Sequence, residues 1–200
     1  MSDAMPKLGM QSKRSSALIE AVIAEIGSTG SMDVTVSQIA KRAGMSSALA
    51  HHYFGSKNSM FVAAMRHILN VYGKEVRERL AAANAPRERL EVIIRTSFSE
   101  QNFRPEVVNA WLNFYVFAQK SGEVARLLEV YHRRLESNLR HELRMLMPDC
   151  AEFVAEGIAA MIDGAYIRRV LRRDGGMPCS PEDMALDYLD LCLNRSGAGS

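Results

Sequence analysis

This chain of 200 residues holds little of what would mark a secreted, membrane-borne or catalytic protein. Its three cysteines, Cys150, Cys179 and Cys192, are odd in number and lack metal-ligand spacing, so they suit reduced thiols and exclude a disulfide framework. Tryptophan occurs once and aromatics make up only 7% of the residues, so each large ring carries information. No apolar stretch approaches the roughly 20 residues of a membrane helix, and the start MSDAMPKLGMQSKR has no apolar core. A cytoplasmic chain without a membrane partner is expected. There is no alternating run or hairpin turn to announce a sheet, which leaves an all-α fold. There is also no nucleophile paired with a base, no H-E-x-x-H and no phosphate loop, so neither an enzyme nor a bound cofactor is expected. An acid in a pocket, such as Asp163, is the one opening left for an enzyme.

What is present is an ordinary globular composition, 48% hydrophobic and 24% charged, in a chain long enough to fold around its own core. The net charge of +2 is small but uneven. Residues 1–80 carry ten Lys and Arg against six Asp and Glu, and the remainder fifteen against seventeen. The excess of cations in the first part points weakly toward a polyanion.

Along the chain, Ala17, Leu18, Ala21, Val22 and Ile26 share a helical face that Gly27 and Gly30 should end. Lys7, Lys13 and Arg14 precede or open this helix, as a phosphate-touching arm or simply as solvated charges. Phe61, Val62, Met65, Ile68, Leu69, Tyr72 and Val76 keep a helical period for about six turns. Pro86 starts a helix expected to end near Phe103, and Pro105 starts the next through Trp111. Ser121-Gly122 precedes a long helix to Met147, and Gly175-Gly176-Met177-Pro178 marks a loop. Ser180-Pro181-Glu182-Asp183 opens a last helix, followed by a frayed tail from Arg195. Nine helices are expected in all.

The stretch 35–57, TVSQIAKRAGMSSALAHHYFGSK, is the most specific. Thr35 and Gln38 stand at capping-box spacing, Val36, Ile39, Ala40 and Ala43 share a face, and Gly44 supplies a left-handed stop. Ser46 then caps a second short helix with Ala50 and Phe54 inward, leaving Ser47, Ala48, Leu49, His51 and His52 outside. Two short helices around a glycine turn make a helix-turn-helix, whose second helix enters a DNA major groove. The continuation HYFGSK into a long helix separates this from an ordinary helical hairpin. His51 and His52 are unsuited to a shared metal, because helix neighbours point about 100° apart and no carboxylate or cysteine sits nearby.

Those residues resemble the amino-terminal domain of the TetR family of bacterial repressors. The resemblance implies a nine-helix fold, with a three-helix head over 1–57 and a ligand-binding and dimerisation domain over 58–200. It places Ser47, Ala48, Leu49 and His51 toward base edges and Thr35, His52, Tyr53 and Lys57 toward the sugar-phosphate backbone, with Ser46 also among the DNA-binding residues. Leu49 suits a thymine methyl, or a core position if the register slips by one. It also implies a homodimer on double-stranded operator DNA, with half-sites about 34 to 36 Å apart. Ala155, Ile158, Ala159 and Ile162, with Tyr188, Leu189 and Cys192, suit either the dimer face or internal core.

Trp111, Phe114, Tyr115 and Tyr166, with Asp163 as the lone acid in an apolar stretch, suit a quaternary ammonium through cation–π attraction and charge pairing. Internal core is the competing reading for the rings. The segments MPKLGMQSKR, AWLNFY and IDGAYIRR are similar to the BetI-type, choline-responsive branch of the family, which governs glycine-betaine biosynthesis. Choline or another cationic effector is therefore the implied ligand. Tyr115 stands where that branch tends to carry Trp, Ala165-Tyr166 where it carries Leu-Trp, and Arg169 where it carries a small residue. A repressor with a different small-molecule effector, and a helical ligand-binding module without DNA binding, remain as alternatives.

Overall fold

The computed structural model describes residues 5–172 and 179–197, and its described part holds nine α-helices and no strand. The expected loop at Gly175 to Pro178 lies outside the described residues.

The head is set by local signals. Helix α1 (Met5–Thr29) precedes α2 (Val36–Arg42), which Thr35 caps: Gln38 N donates to Thr35 Oγ1 at 3.2 Å while Thr35 N donates to Gln38 Oε1 at 2.7 Å. Gly44, at φ 68°, turns the chain where a side chain would be strained. Ser46 then accepts from Leu49 N at 3.2 Å to start α3 (Ser47–Phe54). Ser56 accepts from Ser59 N at 3.1 Å to start α4 (Lys57–Leu80), whose 24 residues extend about 36 Å. Ile39, Ala40 and Ala50 are buried, and Val36, Ala43 and Phe54 pack half-buried against them.

The body comprises α5 (Pro86–Ser97), α6 (Pro105–Ala118), α7 (Gly122–Leu146), α8 (Ala151–Leu171) and α9 (Pro181–Gly197). Helix α7 packs on α4, α5, α6 and α8, and α9 closes against α8 and α5. One apolar core runs from Leu18 and Ile39 in the head through Phe61 and Phe114 to Leu189.

Three expectations are corrected. Helix α1 runs through Gly27 and ends only at Gly30, because Gly27 is a packing glycine: a Cβ there would lie 2.6 Å from the Glu106 Cα at the start of α6. Asn109 Nδ2 closes the same contact by donating to the Gly27 carbonyl at 2.9 Å. Helix α5 stops at Ser97, not near Phe103, and Asn102, 3% exposed, replaces helical continuation by donating to the Thr96 carbonyl at 3.0 Å. Helix α9 continues past Arg195 to Gly197. On α8 the structure takes the internal-core alternative, with Ala155, Ile158 and Ile162 buried. Its outward residues include Phe153, Ala160, Gly164, Ile167 and Leu171, of which Phe153 and Leu171 are 75% and 71% exposed, while Gly157 packs against Tyr188 of α9.

Candidate nucleic-acid interface and effector pocket

Helix α3 presents Ala48, His51 and His52 to solvent, with Ser47, Leu49 and Tyr53 half-buried beside them. Leu49 stands apart from the apolar core, so the slipped register does not apply. Thr35 and Ser46 are exposed at the two helix starts, each with its hydroxyl occupied as a cap. His51 Nδ1 lies 2.9 Å from the Gly55 carbonyl, which ties the imidazole to the end of its own helix. The His52 and Tyr53 rings meet edge to face at 5.8 Å. Lys57 differs from the sequence picture of a free phosphate ligand. Its Nζ donates to the Met32 carbonyl at 3.1 Å and lies 5.4 Å from the Phe61 ring centre, so the cation bridges the turn before α2 to α4.

In the body, the structure brings Trp111, Tyr115, Asp163 and Tyr166 together. Tyr115 donates its hydroxyl to Asp163 Oδ1 at 3.0 Å, and the Trp111 ring lies 5.8 Å from Tyr115 and 6.4 Å from Tyr166. Phe114 sits elsewhere: it is wholly buried and shares no ring contact with this group among the described residues. Two residues that sequence reasoning passed over complete the set. Tyr131 lies 4.9 Å from the Trp111 ring, and His132 stacks on Tyr115 at 6.1 Å with Nε2 3.7 Å from Asp163 Oδ2. The helical period Val124, Leu128, Tyr131, Leu135 puts Tyr131 on the inward face and was the signal available for it.

Asp163, His132, Glu136 and Glu156 line a cavity of about 370 Å³ between α7 and α8, with Ala159, Ala160 and Ile167. Burial pushes the Asp163 carboxyl above the usual carboxylate range, against the opposing pull of His132 and the Tyr115 hydroxyl. Burial likewise raises Tyr115, Tyr131 and Tyr166, so these hydroxyls stay protonated as hydrogen-bond donors. The Tyr166 hydroxyl reaches the carbonyls of Ser97 at 2.8 Å and Asn102 at 3.1 Å, at the two sides of the α5–α6 turn. From that turn Asn102 Nδ2 donates to Glu75 Oε2 on α4 at 2.7 Å. A chain of hydrogen bonds thus joins the aromatic group to the helix that starts in the head.

Two capped short helices around a glycine turn, set on a long helix that leads into a helical body with its own polar cavity, define a helix-turn-helix DNA-binding regulator. Comparison with known proteins narrows the class. Residues 18–64 match the family described as bacterial regulatory proteins, tetR family, and residues 86–194 match the family described as BetI-type transcriptional repressor, C-terminal. The HTH-type transcriptional regulator BetI of Rhizobium meliloti (strain 1021) is 49% identical over 199 residues, 98% of this chain and 97% of that one. The protein of the same name from Brucella suis biovar 1 (strain 1330) is 47% identical over 191 residues, 95% and 96% of the two chains. In fold, a transcriptional regulator from Saccharomonospora viridis, crystallised in complex with choline, matches with a TM-score of 0.77. That match is at 21% identity over 90% of this chain and 95% of that one, and it speaks to the fold alone. The chain belongs to the TetR family of transcriptional regulators, in its BetI-type branch. Among the described residues no helix is long and apolar enough to cross a membrane.

Proposed function

We propose that this DNA-binding repressor acts in the cytoplasm as a homodimer on operator DNA, is not an enzyme, and releases its operator when choline or a closely related quaternary ammonium binds in the body. The head over 1–57 and the body over 58–200 divide these tasks. Ser47, Ala48, Leu49 and His51 meet base edges, and Thr35, Ser46, His52, Tyr53 and Lys57 meet the backbone. Lys57 must exchange its bond to the Met32 carbonyl for a phosphate, so its contribution is the difference between two hydrogen bonds. The exposed stripe of α8 with Leu191 and Met184 of α9 supports pairing with a second copy, because small residues at its centre allow close helix approach.

The observation that carries the effector reading is the setting of Asp163. Its carboxylate is held by Tyr115 and faces a cavity shared with His132, Glu136 and Glu156, and Tyr115 in turn joins it to the ring of Trp111. A small cation that cannot donate hydrogen bonds is stabilised there by charge, beside the stacked rings of Tyr115 and His132. Phe114 is left out of this contact set because its ring meets none of these rings among the described residues. Occupation is transmitted through Tyr166, the α5–α6 turn and Glu75 to α4, which changes the spacing of the two heads. Such coupling amounts to about 1 to 3 kcal/mol.

The test is a salt-controlled titration of the protein against the duplex upstream of its own gene, with and without choline. Specific binding that choline weakens, and that choline no longer weakens in Asp163→Asn, is the expected result. The asparagine variant should lose choline affinity by about 2 kcal/mol or more, since it removes one side of a partly buried charge pair. Operator binding that ignores choline in the wild type would discard this effector and keep the repressor.

A further inference from the structure

A second cavity lies on the other face of α7, between α7 and α4, with a volume of about 420 Å³. Its floor is apolar and aromatic: Leu69, Tyr72, Val76, Tyr131 and Leu135. Its charged members are both cations, Arg77 from α4 and Arg134 from α7, joined by the amide of Asn138. Among the described residues no carboxylate lines it. Neither guanidinium has a protein partner among the described residues, whereas Arg79 on α4 pairs with Glu75 at 2.6 Å and Arg133 on α7 pairs with Glu129. Carboxylates therefore serve the arginines next to this cavity and not the two that line it.

Helix α4 also gives up a side chain here. Gly73 stands in the middle of a long helix, where glycine costs about 1 kcal/mol relative to alanine. No close packing demands it: a Cβ at that position would meet only the flexible end of Arg77, at 3.3 Å from Nη1. The missing side chain leaves room in the wall instead. The volume falls within the roughly 300 to 1,000 Å³ usual for small-molecule sites.

We propose that the cavity between α4 and α7 is a binding site for a small carboxylate with an apolar body, its carboxylate held by Arg77 and Arg134. Guanidinium forks match a carboxylate in geometry as well as charge, and two unpaired ones beside an apolar floor select an amphipathic anion over a cation or a neutral molecule. A quaternary ammonium is repelled by the same pair. The site is therefore distinct in ligand class from the acidic cavity at Asp163, and it stands or falls independently of the choline reading. Its position gives it consequence. The occupant would rest directly on α4, which begins in the head at Lys57, and on Tyr131, whose ring backs onto Trp111.

The experiment uses the full chain titrated with sodium octanoate and, separately, with octanol, which has the same apolar body without the charge. Calorimetry and the emission of Trp111, the single tryptophan, report binding. Octanoate should saturate one site per chain and bind about tenfold or more tighter than octanol. In the double variant Arg77→Gln, Arg134→Gln that preference should disappear, while choline titration and thermal unfolding stay as in the wild type. Gly73→Met, which fills the wall with a good helix former, should block octanoate and spare choline. Equal affinity for octanoate and octanol, undiminished octanoate affinity in the double variant, or no saturable octanoate binding would each overturn the proposal.

Discussion

The two faces of α7 carry opposite charge over a shared wall. Among the described residues, the cavity toward α8 holds Asp163, Glu136 and Glu156 with His132, and the one toward α4 holds Arg77 and Arg134 and no acid. Leu135 lines both, and the rings of Tyr131 and His132, adjacent in sequence, fall one to each side. A helix turns about 100° per residue, so two neighbouring positions can serve two different environments. Charge counted along α7 says little, while charge sorted by the helix that each face meets separates an acidic cavity from a basic one.

The largest effect expected on this arrangement comes from Leu135→Ala. Leu135 is 3% exposed, and truncating a buried leucine costs about 2 to 5 kcal/mol, measurable by urea unfolding. Because the wall is common, choline and octanoate affinity should both fall in this variant. A loss confined to one ligand would show that the cavities do not share it.

Next comes pH. The carboxyl of Asp163 is raised above its ordinary value of 3.8, with burial the main cause, Glu156 adding to it, and His132 and Tyr115 opposing. A bound cation favours the carboxylate, so binding expels the proton. Choline affinity should be full above the raised value and fall as pH drops through it, by at most about tenfold per pH unit. Asp163→Asn should flatten that dependence. Octanoate affinity should stay level over the same window until the ligand's own carboxyl takes up a proton. A choline affinity that rises on acidification would break the assignment of the acidic face.

The smallest effect sharpens how the acidic face speaks to the head. Tyr166→Phe removes one buried hydroxyl that serves the carbonyls of Ser97 and Asn102, at a cost of about 1 kcal/mol in stability. Choline should still bind, and the ratio of operator affinities without and with choline should move toward one. An unchanged ratio would place the transmission elsewhere.

Much of the head was legible before any coordinates. Thr35 with Gln38, Ser46, Gly44 and Ser56 act within three or four residues of their partners, so their spacing suffices to mark two short helices, their turn and the start of the long one. The candidate pocket was legible only as a set of residue types. Trp111, Tyr115, Asp163 and Tyr166 were found because they are rare in an apolar run, whereas Tyr131 and His132 sit in the strongly charged run EVYHRRLE and were masked by it. Phe114 carried the same signal as its neighbours, yet its ring meets none of theirs among the described residues, since one step of 100° around α6 separates it from Tyr115.

By itself the sequence determined an all-helical chain, the helix-turn-helix and its caps, because those features depend on bonds between residues a turn apart. Tertiary structure alone decided the rest. Gly27 became a contact between α1 and α6 instead of a helix end, because Glu106 arrives from 79 positions away. Ala155, Ile158 and Ile162 of α8 became core, with α6, α7 and α9 all packed on that helix, and Phe153 and Leu171 stayed outside. The division of α7 into an acidic and a basic side likewise came from which helices packed against it. No periodicity within one segment encodes such choices, since each depends on partners distant in the chain.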